Sequence, residues 1–137
     1  MPFSAAELVA ELHRRQNEMY SGGSVDSVVE LLAEDIVWHV PGSNPIAGDH
    51  RGAPEVIAYF ERRRQLASAT MKMEPGELLE MDDAVAQFVT GSATLDGERV
   101  TWQTVGIYRV DPEHSWIREA WLVPLDSDLF DRIWGSF

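Results

Sequence analysis

Asp35-Ile36-Val37-Trp38-His39-Val40-Pro41-Gly42-Ser43-Asn44-Pro45-Ile46-Ala47-Gly48 reads as one β-strand running into a proline-bounded turn. Ile36, Val37, Trp38 and Val40 suit a pleated strand. Pro41 removes a backbone donor and Gly42 permits unusual dihedrals, so regular pairing should stop there. His39 stands at the strand end among apolar neighbours, and imidazole is the side chain that exchanges a proton near neutrality without much tuning. The strand end is therefore read as the rim of a small-molecule pocket, with the rest of the chain as its walls.

Upstream, Ser4 and Glu7 have the spacing of a capping box. Leu8, Val9, Leu12, Met19 and Tyr20 then recur at helical spacing until Ser21-Gly22-Gly23. Gln16 falls on that apolar stripe, so it needs a partner in the protein or in a ligand. A shorter helix is expected from about Val25, with Val25, Val28, Val29 and Leu32 inward. Downstream, Asp49-His50-Arg51-Gly52 reads as a loop, and Pro54 suits the first turn of a third helix. Val56, Ile57, Phe60 and Ala67 supply its buried face, while Arg62, Arg63 and Arg64 read as a solvated basic end.

The second half changes character. Met71–Met81 reads as a strand interrupted near Pro75-Gly76. Ala84–Leu95 and Val100–Val110 flank Asp96-Gly97, a two-residue hairpin signal. Ser115–Val123 returns after Asp111-Pro112-Glu113-His114, and Pro124 ends it. Leu129, Phe130, Ile133, Trp134 and Phe137 form a closing amphipathic segment. Helices followed by an antiparallel meander give an α+β fold in a single domain over residues 1–137. Strict alternation would put Ile117, Glu119, Trp121 and Val123 on one face of the last strand, and Trp116, Arg118, Ala120 and Leu122 on the other. Both faces are largely apolar, so one should meet the helices and the other a second copy of the chain. A homodimer through the sheet is the expectation.

Composition narrows the function classes. The 137 residues carry 11 basic and 23 acidic side chains, a net charge of −12, which argues against nucleic acid or an anionic membrane as partner. There is no cysteine, hence no thiolate chemistry or cysteine-bound metal. His13, His39, His50 and His114 show no metal-ligand spacing, and no glycine-rich phosphate loop occurs. A pocket with no metal and no cofactor is expected. Without a basic-then-apolar leader or an apolar run of about 18 residues, the expected location is cytoplasmic.

Leu31-Leu32-Ala33-Glu34-Asp35, Trp38-His39-Val40-Pro41-Gly42, Ala47-Gly48, Arg51-Gly52 and Tyr59-Phe60 together resemble the SnoaL-like branch of the nuclear transport factor 2-like superfamily. The run from Trp121 through Pro124-Leu125-Asp126 to Phe130-Asp131 and Trp134 is similar to the same branch, so nearly the whole chain is covered. The branch includes ketosteroid isomerases, polyketide cyclases and limonene-epoxide hydrolases. The resemblance implies a cystatin-like cone: a strongly bent, mostly antiparallel sheet closing toward a barrel, wrapped by three N-terminal helices around a pocket. It also implies departures. The oxyanion tyrosine of the steroid isomerases falls near Gln16, their second oxyanion acid near Gly106, and their base near His39 or Val40. The strand bearing the epoxide hydrolases' arginine and aspartate has neither here, and their second aspartate falls near Trp121. The cyclases' acidic Glu-x-Trp-Asp-like run is Glu119-Ala120-Trp121-Leu122, which keeps the glutamate alone.

His39 and Glu119 are thus the candidate catalytic pair, His39 moving a proton and Glu119 assisting or orienting. The competing reading makes His39 a backbone-bonded core or interface residue and Glu119 a partner of Arg118, Arg109 or a second subunit. Gln16, Trp38, Phe60, Trp102, Thr104 and Trp121 are the candidate substrate-binding residues. The function expected is a cofactor-free acid/base enzyme, of isomerase, cyclase or lyase type, acting on an apolar carbonyl-containing or polyketide-like molecule. A non-catalytic dimeric binder of the same ligand class is the rival. An epoxide-opening cyclase or hydrolase is a third reading, which requires Glu80, Glu119 or another carboxylate to replace the missing acids.

Overall fold

The first helix, α1 (Ala5–Tyr20), begins on the capping box: the Ser4 hydroxyl accepts from the Glu7 amide and the Glu7 carboxylate accepts from the Ser4 amide. The computed structural model describes residues 3–135, so Phe137 and the extreme ends of the domain lie outside the described residues. α2 (Asp26–Val29) is a single turn, shorter than expected. Val28 is buried there, but Val29 is 40 % exposed, because the chain straightens immediately into β1 (Leu32–Val40).

Residues 49–51 do not form a loop. They belong to β2 (Gly48–Arg51), which pairs back on β1 with Trp38 opposite His50 and His39 opposite Asp49. The intervening turn is tied to the C-terminal helix through Asp131, which accepts from the Ser43 amide and the Asn44 side chain. α3 (Ala53–Leu66) carries Pro54 in its first turn. Four long strands follow: β3 (Lys72–Glu80), β4 (Ala84–Leu95), β5 (Glu98–Asp111) and β6 (Trp116–Pro124). α4 (Ser127–Gly135) closes the chain and buries Phe130, Ile133 and Trp134.

The fold is α+β, with a curved six-stranded sheet in the order β2-β1-β6-β5-β4-β3. Only the β1–β6 pair is parallel. The sheet stays open, with β2 and β3 as its edges, so the cone does not close into a barrel. α1 lies across β3 to β6 and α3 packs on β1 and β2, giving a helix-covered inner face and a bare outer one.

Alternation assigns β5 correctly: Trp102, Thr104, Gly106, Tyr108 and Val110 face in, while Thr101, Gln103, Ile107 and Arg109 are exposed outside. On β6 alternation breaks. Arg109 pairs with Glu119 but Val110 with Ile117, so Arg118 is an extra residue on β6. The bulge keeps both Ile117 and Ala120 buried and turns Glu119, Trp121 and Val123 outward. Ile117 therefore does not share a face with Glu119 as strict alternation required. Two inner glycines give room to aromatic rings: a Cβ at Gly91 would run into Trp102, and one at Gly106 into Tyr108.

Candidate functional site

The enclosed cavity lies between α1, α3 and the inner sheet face. Its walls include His13 and Gln16 from α1, Trp38 from β1, Arg63 from α3, Trp102, Thr104 and Tyr108 from β5, and Met71, Met73 and Leu122 nearer the rim. The void amounts to about 370 Å³ with its mouth included, but a water's centre has only about 20 Å³ to move in. That is room for about one water without side-chain movement. Met71 and Met73 are the adaptable members of its wall, since thioether chains repack readily. Met73 is held at the rim by Asn17, whose side-chain amide both donates to the Met73 carbonyl and accepts from its amide, each at 2.8 Å.

His13, Arg63 and the tyrosines around them are the buried titratable groups of this region. His13 is 2 % exposed, its Nε2 lies 3.2 Å from the Tyr108 hydroxyl, and its Nδ1 is buried without a partner among the described residues. Burial, with help from the Arg63 charge, brings its pKa down to about 4, so the imidazole is neutral. Arg63 is 3 % exposed and donates through Nε and Nη2 to the Tyr20 hydroxyl at 3.1 and 2.5 Å. Its guanidinium lies 4.8 Å from the Tyr59 ring centre and 5.3 Å from that of Tyr20. Among the described residues no carboxylate forms an ion pair with it. Burial pushes the Tyr20, Tyr59 and Tyr108 hydroxyls above the ordinary phenol range, so all three are neutral. A desolvated cation–π contact contributes about 2 kcal/mol, against several kcal/mol for stripping an ion of water. The rings and hydroxyl thus offset part of the desolvation of Arg63, but among the described residues no carboxylate pairs with it.

The expectation that His39 and Glu119 share this cavity with Gln16 is not met. Trp38 faces in, so its neighbour His39 faces out, and the β6 bulge sends Glu119 out beside it. His39 is clamped between two carboxylates: Nδ1 to Asp49 and Nε2 to Glu119, both at 2.7 Å. Its ring stacks on Trp121 with centres 5.3 Å apart. Burial of the ring opposes its charge, but the hydrogen bonds to Glu119 and Asp49 outweigh that and raise the pKa. Trp121, expected against substrate, is therefore in this outer cluster, beside a surface cleft lined also by Val40, Val123 and Pro124. Phe60 sits behind the cavity wall, fully buried with its ring 4.9 Å from that of Trp38. Gln16, Trp38, Trp102 and Thr104 do line the cavity.

Sequence reading missed His13, Arg63 and Tyr108. The signal for the first two was helical spacing: His13 is three residues before Gln16 on the α1 stripe, and Arg63 is three after Phe60 and four before Ala67. Arg63 is accordingly buried, in contrast to the solvated basic end expected for residues 62–64, of which Arg62 alone is fully exposed. Among the described residues no carboxylate lines the cavity: Glu119 is outside, and Glu80 accepts from the Ala6 amide. The acids an epoxide-opening reaction needs are therefore absent from its walls. Among the described residues one cluster has metal-ligand proximity, Asp111, Glu113 and His114 in the β5–β6 turn, remote from the cavity. There Asp111 already bonds His114 and Arg118.

A bent open sheet with a helix-covered, aromatic cavity defines a class of small-domain pocket proteins. The chain belongs to the SnoaL-like domain family, whose match spans residues 13–119. Among solved structures it is similar to Bal32a, from a soil-derived mobile gene cassette, at 27 % identity and a TM-score of 0.81, over 95 % of this chain and 98 % of that one. A cystatin-like-fold protein from Xanthomonas campestris aligns at 19 % identity and a TM-score of 0.83, covering 97 % and 99 %. SalBIII, an epoxide hydrolase/cyclase-like enzyme with a role in pyran ring formation in the polyether salinomycin, aligns at 24 % identity and a TM-score of 0.72, covering 88 % and 89 %. No curated protein matches the sequence.

Proposed function

We propose that the chain is a cofactor-free acid/base enzyme of isomerase, cyclase or lyase type, acting on an apolar carbonyl compound in the inner cavity. The observation that carries this reading is His13: a neutral imidazole with an unpartnered Nδ1 in an aromatic cavity. A C–H bond next to the substrate carbonyl breaks, its proton goes to Nδ1, and its electron pair moves onto the carbonyl oxygen as an enolate. The proton then returns to carbon at the same or a conjugated position. Tyr108 holds the far nitrogen, while Gln16 and Thr104 offer hydrogen bonds to the substrate. His39 and Glu119 have no part in this chemistry, being on the other side of the sheet.

The test uses 2-tetralone, an apolar bicyclic ketone, in deuterated buffer. Wild type should accelerate deuterium incorporation beside the carbonyl, and His13→Gln should lower that rate by about 10²-fold, the usual size of a general-base contribution. Saturable binding with no acceleration by wild type would instead identify a non-catalytic binder. We also propose a homodimer through the outer sheet face. Phe88, Ile107 and Val123 are 50, 37 and 42 % exposed on adjoining strands, and Leu78 and Leu79 extend the patch on β3.

A further inference from the structure

We infer that the inner cavity recognises an organic oxyanion, a carboxylate or the enolate of a 1,3-dicarbonyl on an apolar ring system, with its charged oxygen on Arg63. This deepens the proposed function and rests on the same cavity being the site. Arg63 lines the cavity, is nearly fully buried, and among the described residues its recorded partners are the neutral Tyr20 hydroxyl and the Tyr20 and Tyr59 rings. A guanidinium is charged at any pH the fold survives, and its planar fork matches a delocalised oxyanion. Buried charges are ordinarily paired, yet among the described residues no carboxylate pairs with this one, and the titratable groups acting on it, Tyr20, Tyr59, Tyr108 and His13, are not anionic. An entering oxyanion supplies the missing charge.

Two further observations point to the same place. His13 Nδ1 and Trp38 Nε1, both in residues lining the cavity, are buried without partners among the described residues. An anion there would also favour the protonated form of His13, moving it from an unusually weak base toward one suited to neutral pH. The protein as a whole carries −12, so no diffuse surface field attracts an anion and selectivity for one has to arise locally.

The experiment titrates wild type with 2-naphthoate, with its neutral isostere 2-naphthamide, and with a 2-aryl-1,3-cyclohexanedione ionised at neutral pH, following tryptophan fluorescence. At least one anion should bind ten-fold or more tightly than the amide; which one does tells a carboxylate ligand from an enolate. Arg63→Met should abolish that preference and change amide affinity by less than about three-fold. Arg63→Lys, which keeps the charge and guards against misfolding of the methionine variant, should retain a reduced preference. Equal or tighter binding of the amide by wild type, or a preference that survives in Arg63→Met, would overturn the inference while leaving the cavity as the site. Binding undiminished in Leu122→Trp, which fills the cavity mouth, would place the ligand elsewhere and overturn both. Failure of all three probes to bind at millimolar concentration would likewise overturn the inference, whereas 2-tetralone exchange reports on the site itself.

Discussion

At the residue scale two histidines on opposite faces of one sheet titrate in opposite directions. His13, folded, has a pKa near 4, below its unfolded value near 6.5. As pH falls below 6.5 the unfolded chain takes up a proton that the folded one refuses, so stability drops and the loss levels off near pH 4. Urea unfolding at pH 7 and pH 5 should show about 2 kcal/mol lost from this group, and His13→Phe should flatten that limb. His39 runs the other way. Its folded pKa is raised by Glu119 and Asp49 against the effect of burial, so its contribution is complete below the unfolded value and fades as pH rises through the folded one. His39→Gln should therefore remove a stability loss on the alkaline side of 6.5. The contrast shows why chemistry-bearing residue types were legible and their roles were not. His39 stood out by its neighbours, but its direction follows from Trp38 facing in. His13 and Arg63 sat on stripes read only for their apolar members.

At the element scale, the start of α1 and the β4–β5 hairpin were readable because their signals are local. The Ser4 capping box is such a case, and Ser4→Ala should lower stability by about 1 kcal/mol, measured by thermal or urea unfolding. The β6 bulge was not readable, since alternation has no mark for an extra residue until its partner strand is known. That single residue puts Glu119 on the opposite face from Ile117, outside the sheet beside His39. The short β2 was missed for a related reason: Gly48-Asp49-His50-Arg51 has strand geometry imposed by β1 rather than by its own propensity. The inner glycines are a second non-local device. Gly91→Ala should displace Trp102 and destabilise by about 1–3 kcal/mol, as overpacking does, with a loss of tryptophan-detected ligand binding larger than that of an outer-face control such as Gln103→Ala.

At the scale of the whole molecule, the sheet separates an interior lined by the Arg63 cation and a neutral imidazole from an outer face that carries the His39 cluster and an exposed apolar patch. The apolar patch across Phe88, Ile107 and Val123 should join two copies. Sedimentation at tens of micromolar, on the order of weak-dimer affinities, should show a dimer for wild type and a monomer for Ile107→Glu; a wild-type monomer would refute the proposed assembly. The α+β class and its helical cover were legible because they depend on the order of strongly patterned segments. Which face works was not, because it depends on where the layers meet. The most direct measurement compares His13→Gln with His39→Gln for deuterium exchange into 2-tetralone under identical conditions. His13→Gln should lose about 10²-fold, and His39→Gln should stay within about three-fold of wild type. A large loss for His39→Gln with His13→Gln unimpaired would contradict this and move the chemistry to the outer cleft.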